Sequence, residues 1–120
     1  MDMENATRLA AILPCNNLDV SQTFYAKLGF TCHSDYGTYR ILSDGRGSHL
    51  HLNLVVGGWL VPGSNPFGLY LYMKDVDALA RSLGNLLIHQ PEHKPWGMYE
   101  FALSDPDETL VRVGWPSAEL

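Results

Sequence analysis

The chain repeats its own pattern, because the order of sequence elements in its first half returns in the second. The segments LDVSQTFYAKLGF (18–30) and KDVDALARSLGN (74–85) both place Asp-Val ahead of a helical stretch that closes on Leu-Gly. The segment GTYRILSDG (37–45) likewise returns as GMYEFALSDPD (97–107). A repeat of this kind predicts two copies of one folding unit within the 120 residues.

Each copy is predicted to contain a strand, a helix and three further strands. Strand candidates precede the helices at 8–15 and 67–74, and others follow the Ser-Asp turns at 48–56 and 109–115. The predicted fold is α+β, with two βαβββ modules in one domain over residues 1–120. Module one spans residues 8–56, a Gly- and Pro-rich linker spans 57–66, and module two spans 67–115.

Short polar side chains are expected to cap both predicted helices at their amino ends. Asp19 or Ser21 is the expected cap of the first helix, and Asp75 or Asp77 that of the second. The helices therefore fall at matching places in the two copies.

Composition narrows the kinds of partner that the chain can have. A net charge of −5 with only eight basic residues and no basic run disfavours nucleic acid as a partner. No apolar run approaches the length of a membrane span, and the first ten residues lack the apolar core of a signal peptide. Two cysteines do not make a disulfide framework, so a reduced, cytoplasmic protein is expected.

Three motifs carry a resemblance to a known family. The FYAKLGF that closes the first helix, the MKDVDAL that opens the second and the PWGMYEFALSDPDETLVRVG near the carboxyl end resemble the vicinal oxygen chelate superfamily. Within it, the chain is most similar to the glyoxalase/bleomycin resistance proteins, especially to their drug-binding branch. The resemblance covers roughly residues 8 to 115 and implies a curved mixed sheet with a concave cleft.

The resemblance also implies where a metal would be bound in metal-using members. The matching positions here are Ala10, Gly68, His51 and Arg112, and only His51 has a side chain that can ligate a cation. No metal and no cofactor are therefore expected. The alternative is a metal held by His49 and His51, which strand alternation places on one face, as part of a lyase, dioxygenase or thiol transferase.

Strand alternation also predicts which side chains line the cleft. Tyr70 and Tyr72 share one face of their strand, while Met98 and Glu100 continue the parity of Trp96. Aromatic walls with a few polar groups are typical of a site for a planar ligand, and drug-binding relatives use the Trp of PWG to stack on it. The complete predicted set is Trp96, Trp59, Tyr70, Tyr72, Met98, Glu100, His49, His51, Asn53 and Arg112.

The acidic turn after the last motif is predicted to be structural. Asp105 and Asp107 flank Pro106, and Asp side chains in such turns bond to backbone amides, so neither is expected to be catalytic. The family more often continues with Gly-Asn where this chain has Glu108 and Thr109, and a different turn geometry is expected there.

The predicted function is the binding and sequestration of a small aromatic, cationic, toxic or antibiotic compound, without chemical change to it. Bleomycin-type glycopeptides are the ligands that the resemblance implies. The alternative is the metal-dependent enzyme with His49 and His51. The resemblance further implies a homodimer, because relatives complete the cleft by pairing or exchanging modules, and exposed sheet edges favour such pairing.

Overall fold

A computed structural model describes residues 5–120, so the first four residues of the predicted domain lie outside the described part. Within this part the order of elements is strand, helix and three strands, twice over. The first copy comprises β1 (Ala10–Cys15), α1 (Leu18–Ala26), β2 (Thr31–Asp35), β3 (Tyr39–Ser43) and β4 (His49–Leu54). The second comprises β5 (Gly68–Tyr72), α2 (Val76–Leu83), β6 (Leu87–His93), β7 (Met98–Ser104) and β8 (Leu110–Pro116). The predicted α+β fold of two βαβββ modules is confirmed.

Each copy forms a four-stranded mixed sheet of its own. The strand order is β1-β4-β3-β2 in the first and β5-β8-β7-β6 in the second. In both sheets the first strand of the copy pairs in parallel with the last, and the other pairs are antiparallel. The chain divides into two compact units between Trp59 and Leu60, inside the predicted linker. The single domain and the concave cleft stay predictions.

The amino end of α1 differs from its prediction. Asn17 is the cap, because it is the last extended residue (φ −149°) and its side chain accepts the backbone N–H of Val20 at 3.0 Å. Asp19 lies inside the first turn and pairs with Arg40 at 2.8 Å, while Ser21 is buried in the helix. The prediction of Asp19 or Ser21 as the cap was therefore wrong, because the cap lies two residues before Asp19.

The amino end of α2 falls where one of the two candidates stands. Asp75 is the capping residue, although its side chain makes no capping hydrogen bond. Gly84 ends the helix with a φ of +56°, a conformation that L side chains rarely adopt.

No helix in residues 5–120 is long and apolar enough to cross a membrane.

Each unit buries an apolar core between its sheet and its helix. Alternating residues of the central strands face these cores, as the period of two requires. In the first unit the core contains Leu13, Leu18, Phe24, Tyr25, Leu28, Leu42, Leu50 and Leu52. In the second it contains Val76, Ala80, Leu83, Phe101, Leu103, Val111 and Val113.

Candidate functional site

Five of the predicted binding residues come together in the second unit. The parallel pairing of β5 and β8 puts Tyr70 opposite Arg112, two residues before the pair formed by Tyr72 and Gly114. The antiparallel pairing of β7 and β8 puts Glu100 opposite the same Gly114. Trp96 joins them from the preceding turn. These five residues, Tyr70, Tyr72, Trp96, Glu100 and Arg112, form the Trp96 cluster.

The predicted parity of Trp96 with Met98 had implied that Trp96 lies on a strand. In the structure it lies in the turn between β6 and β7. The backbone carbonyl of Lys94 accepts the N–H of Gly97 at 3.0 Å, and the backbone N–H of Lys94 donates to the carbonyl of Met98 at 2.8 Å. These two bonds close a tight hairpin. Pro95 suits the second position of this turn, and Gly97 takes a φ of +82°. The indole nevertheless reaches back over the sheet, so the predicted side of the sheet is right.

Glu100 is the polar centre of the cluster. Its side chain is fully buried (0% exposed), and Oε1 accepts the indole N–H of Trp96 at 2.5 Å and the hydroxyl of Tyr70 at 3.4 Å. Nε of Arg112 lies 3.8 Å from Oε2, which has no hydrogen-bond partner among residues 5–120. Burying a carboxylate is unfavourable unless donors or cations surround it, and here one oxygen is satisfied while the other is not.

Gly114 makes room for this arrangement. A Cβ at this position would lie 2.3 Å from the Tyr70 hydroxyl oxygen, 2.7 Å from Cβ of Glu100 and 2.8 Å from the carbonyl oxygen of Tyr99. These distances are far shorter than van der Waals contact. The absent side chain at Gly114 therefore lets Tyr70 and Glu100 meet above the middle strand. The sequence analysis did not identify this role of Gly114.

The aromatic rings of the cluster leave much of their surface uncovered. Trp96 is 55% exposed, Tyr72 is 61% exposed and Tyr70 is 37% exposed. The two tyrosine rings lie 5.0 Å apart, and the ring of Tyr72 lies 6.3 Å from that of Trp115. Exposed rings held at these spacings offer flat apolar surface on which a planar molecule can stack.

Two cations lie close to the indole of Trp96. The guanidinium carbon of Arg112 and Nζ of Lys94 are each 5.7 Å from the ring centroid, within the range of a cation–π interaction. Lys94 also forms an ion pair with Glu92. Sequence reasoning missed Lys94, although its place two residues before Trp96 in a Pro-containing turn was a usable signal.

Burial, followed by the charge of Glu100, raises the pKa of Tyr70 to about 12. The negative charge of a tyrosinate would be unfavourable next to a buried carboxylate. Tyr70 therefore keeps its proton at neutral pH and acts as a hydrogen-bond donor in the cluster.

On the opposite face of β7, Phe101 and Leu103 are fully buried in the core. Tyr99 on the same face is only half-buried, and its hydroxyl donates to Asp77 of α2 at 2.6 Å. Met98 is half-buried and lies opposite Pro116 of β8. The alternation that separates the Trp96 cluster from the core is therefore confirmed on this strand.

The remaining predicted residues lie in the first unit. His49, His51 and Asn53 are half-buried and alternate on β4 with Leu50 and Leu52, which are buried. Trp59 ends this unit and is 60% exposed. Their ligand-binding role stays a prediction.

The contacts of the two histidines bear on the metal alternative. His51 Nδ1 lies 2.7 Å from the hydroxyl of Tyr39, and His49 Nε2 lies 3.5 Å from the guanidinium of Arg8. Among residues 5–120 no group of three or more His, Cys, Asp or Glu side chains is placed to hold a metal ion. Tyr39 is a partner of His51 that the sequence analysis did not find.

The acidic turn has the structural role that was predicted for it. Oδ1 of the buried Asp105 accepts the backbone N–H groups of Asp107 at 2.8 Å and Thr109 at 2.9 Å. Asn65 donates to the carbonyl oxygen of Asp107 at 2.9 Å and so ties the linker to the turn. Glu108 in this turn takes a φ of +63°, a backbone conformation that L side chains rarely adopt.

A family model described as a glyoxalase-like domain matches residues 9–117, and the chain belongs to this family. The resemblance seen in the sequence motifs is thereby confirmed. A bleomycin resistance protein from Klebsiella pneumoniae is 30% identical over 115 aligned residues, which cover 84% of this chain and 86% of that protein.

Two solved structures are similar to the chain over nearly its whole length. One is a bleomycin-binding protein in complex with bleomycin, with a TM-score of 0.79 at 28% identity, covering 92% of this chain and 98% of that one. The other is a bleomycin resistance determinant encoded on the transposon Tn5, with a TM-score of 0.80 at 28% identity and the same coverage. Both have the α+β fold described above.

Proposed function

We propose that the protein binds and sequesters a small, planar, cationic aromatic compound of the bleomycin type and releases it unchanged. The relatives named for bleomycin support this class of ligand, since the chain is similar to them over most of its length. The net charge of −5 favours the approach of a cation.

One observation carries the proposal: Trp96 is held in place and yet remains exposed. Its indole N–H is bonded to a buried carboxylate, while 55% of the residue faces solvent. A ring fixed in this way loses little conformational freedom when a ligand stacks on it, so more of the stacking energy is available for binding. An exposed tryptophan without a binding role has no need of such an anchor.

The proposed contacts divide by chemistry. Trp96, Tyr70 and Tyr72 supply the flat apolar surface, Glu100 the negative charge, Arg112 a flat guanidinium next to the indole, and Met98 a polarisable side chain beside them. His51, Asn53 and Trp59 in the first unit are also proposed as ligand contacts, because each is at least partly exposed.

The proposal includes a homodimer in the cytoplasm. The edge strands of the two sheets support pairing between chains, since Ile12 on β1 is 63% exposed and Ile88 on β6 is 59% exposed. The cytoplasmic location is supported by a composition with only two cysteines.

Calorimetric titration with bleomycin tests the proposal directly. We expect saturable binding at one site per chain and recovery of bleomycin with its mass unchanged after release. Expression in a bleomycin-sensitive bacterium should raise survival, and the Trp96→Ala variant should raise it less. A chain that fails to bind bleomycin, or returns it chemically modified, would contradict the proposal.

A further inference from the structure

Arg112 rests where a ligand of the proposed kind would stack. Its guanidinium carbon lies 5.7 Å from the centroid of Trp96, and its Nε lies 3.8 Å from Oε2 of Glu100. An exposed indole and a carboxylate are also the two groups that a planar cation would use. We propose that Arg112 is a built-in occupant of the ligand position, which a planar, delocalised cation displaces when it binds. This inference rests on the proposed function and names the feature that selects its ligand.

The contacts of Arg112 are weak enough to be exchanged. Its side chain is 45% exposed, and the 3.8 Å approach to Glu100 is too long for a hydrogen bond. Arg112 therefore contributes a charge and a flat surface without being locked in position.

Arg40 in the first unit shows the contrasting case of an arginine that the fold fixes. Its side chain is 14% exposed and pairs with Asp19 at 2.8 Å and with Asp35 at 3.3 Å. It also donates to Gln22 at 2.9 Å. The difference between Arg40 and Arg112 separates a structural cation from an exchangeable one.

Glu100 offers the ligand an acceptor that the protein does not use. Trp96 and Tyr70 both donate to Oε1, whereas Oε2 is buried and has no hydrogen-bond partner in the described part of the chain. Displacement of Arg112 would uncover this oxygen. A ligand whose flat ring carries a conjugated amidinium or protonated amine could then stack on Trp96 and donate to Oε2. The ligand would thereby replace the charge pair between Arg112 and Glu100.

The opposite assignment is that Arg112 and Lys94 attract a planar anion. Both cations lie 5.7 Å from the centroid of Trp96, but Lys94 already has an ion pair with Glu92. A planar anion on Trp96 would also lie next to the buried charge of Glu100, which is unfavourable. The observations therefore favour the cation, and the anion becomes an outcome of the test.

The test uses two probes with one ring system, the cation 9-aminoacridine and the anion acridine-9-carboxylate, titrated by calorimetry at neutral pH. We expect the wild-type protein to bind the cation about tenfold more tightly than the anion. Arg112→Met removes the occupant and should tighten cation binding by about three- to tenfold, the range of a modest cation–π interaction. Weaker or unchanged cation binding by Arg112→Met, or a preference for the anion, would overturn the inference.

Lys94→Met is the matched control, because it removes one positive charge at the same distance from Trp96 without touching Glu100. Its effect measures the loss of a cation near the indole without the loss of a charge beside Glu100, and it should be smaller than that of Arg112→Met. Equal gains from both variants would mean that Arg112 is not displaced, and the inference would be wrong.

Glu100→Gln tests the acceptor. It should weaken cation binding about tenfold, whereas Glu108→Gln, which removes the same charge from the exposed turn, should change it less than twofold. Thermal melting identifies any variant that fails to fold. If Glu100→Gln does not fold, the affinity of Arg112→Met for the cation decides whether the inference holds. Equal losses in both Glu variants would overturn the inference.

A parallel titration with bleomycin separates the two proposals. Tight bleomycin binding that Arg112→Met does not improve would overturn the inference and leave the proposed function standing. If bleomycin does not bind but the acridine results are as expected, the proposed function is wrong and the inference about Arg112 stands.

Discussion

Trp96 donates its indole N–H to Oε1 of Glu100 across 2.5 Å, and this bond ties an exposed ring in the β6–β7 turn to a fully buried carboxylate on β7. The turn would otherwise leave the indole free to rotate over the sheet. Because a carboxylate oxygen accepts it, the bond is of the stronger kind and holds one edge of the ring, while 55% of the residue stays exposed to solvent.

Trp96→Ala should weaken bleomycin binding by about 1–3 kcal/mol, roughly ten- to a hundredfold, because the stacking surface is lost. The loss in stability should stay at about 1–2 kcal/mol, from the hydrogen bond to Glu100, since the residue is 55% exposed and lies outside the core. Calorimetric titration and thermal melting of the unliganded proteins give both numbers. Unchanged affinity together with a loss of about 3–5 kcal/mol in stability would identify Trp96 as a core residue instead.

Trp96→Phe separates stacking from anchoring. The phenyl ring keeps part of the flat surface but cannot donate to Glu100, so its affinity should fall between those of the wild type and the alanine variant. If phenylalanine binds as tightly as tryptophan, the bond to Glu100 contributes nothing to ligand affinity.

Gly114→Ala should destabilise the protein by about 1–3 kcal/mol, because the added methyl group overlaps Tyr70, Glu100 and the backbone of Tyr99. Chemical denaturation measures the loss. Gly63→Ala is the matched control, since a Cβ there meets nothing within 4 Å. Similar losses at both positions would show that backbone effects, and not the space above Gly114, set the result.

Glu108→Gly should stabilise the protein by about 0.5–1 kcal/mol, because the native φ of +63° is unfavourable for an L side chain and free of strain for glycine. The midpoint of chemical denaturation should rise accordingly. Glu108→Ala removes the same charge but keeps a Cβ, and no comparable gain is expected from it. A gain of the same size in the alanine variant would trace the effect to charge.

Stability should fall as the pH rises from about 10 through about 12, because the pKa of Tyr70 is raised from 10.0 to about 12 in the folded protein. The contribution of this group is fully present below pH 10 and is lost as the folded tyrosine ionises. The Asp77 hydrogen bond also raises the pKa of Tyr99, which acts in the same direction. Melting temperatures of wild type and Tyr70→Phe over this range provide the measurement, and parallel curves would refute the assignment to Tyr70.

The purified protein should be a homodimer at tens of micromolar, because four edge strands remain open for pairing in the described sheets. Light scattering should give twice the chain mass of 13.4 kDa. A mass equal to that of one chain would contradict the prediction.

The sequence alone determined the repeat, the order of strands and helices, and the faces of the strands. Strand alternation is a property of neighbouring residues, so the separation of Glu100 from Phe101 and Leu103 could be predicted without knowing what packs on either side. The turn role of Asp105 was predictable for the same local reason.

Only the tertiary structure decided how the Trp96 cluster is assembled. The bond from Trp96 to Glu100, the room that Gly114 leaves for Tyr70, and the guanidinium of Arg112 over the indole join residues from β5, β7, β8 and a turn. Their meeting depends on strand register and side-chain rotamers, which no short-range pattern encodes. The sequence could therefore name the residues, while the packing of distant strands determined which of them touch and which oxygen of Glu100 accepts the hydrogen bonds of Trp96 and Tyr70.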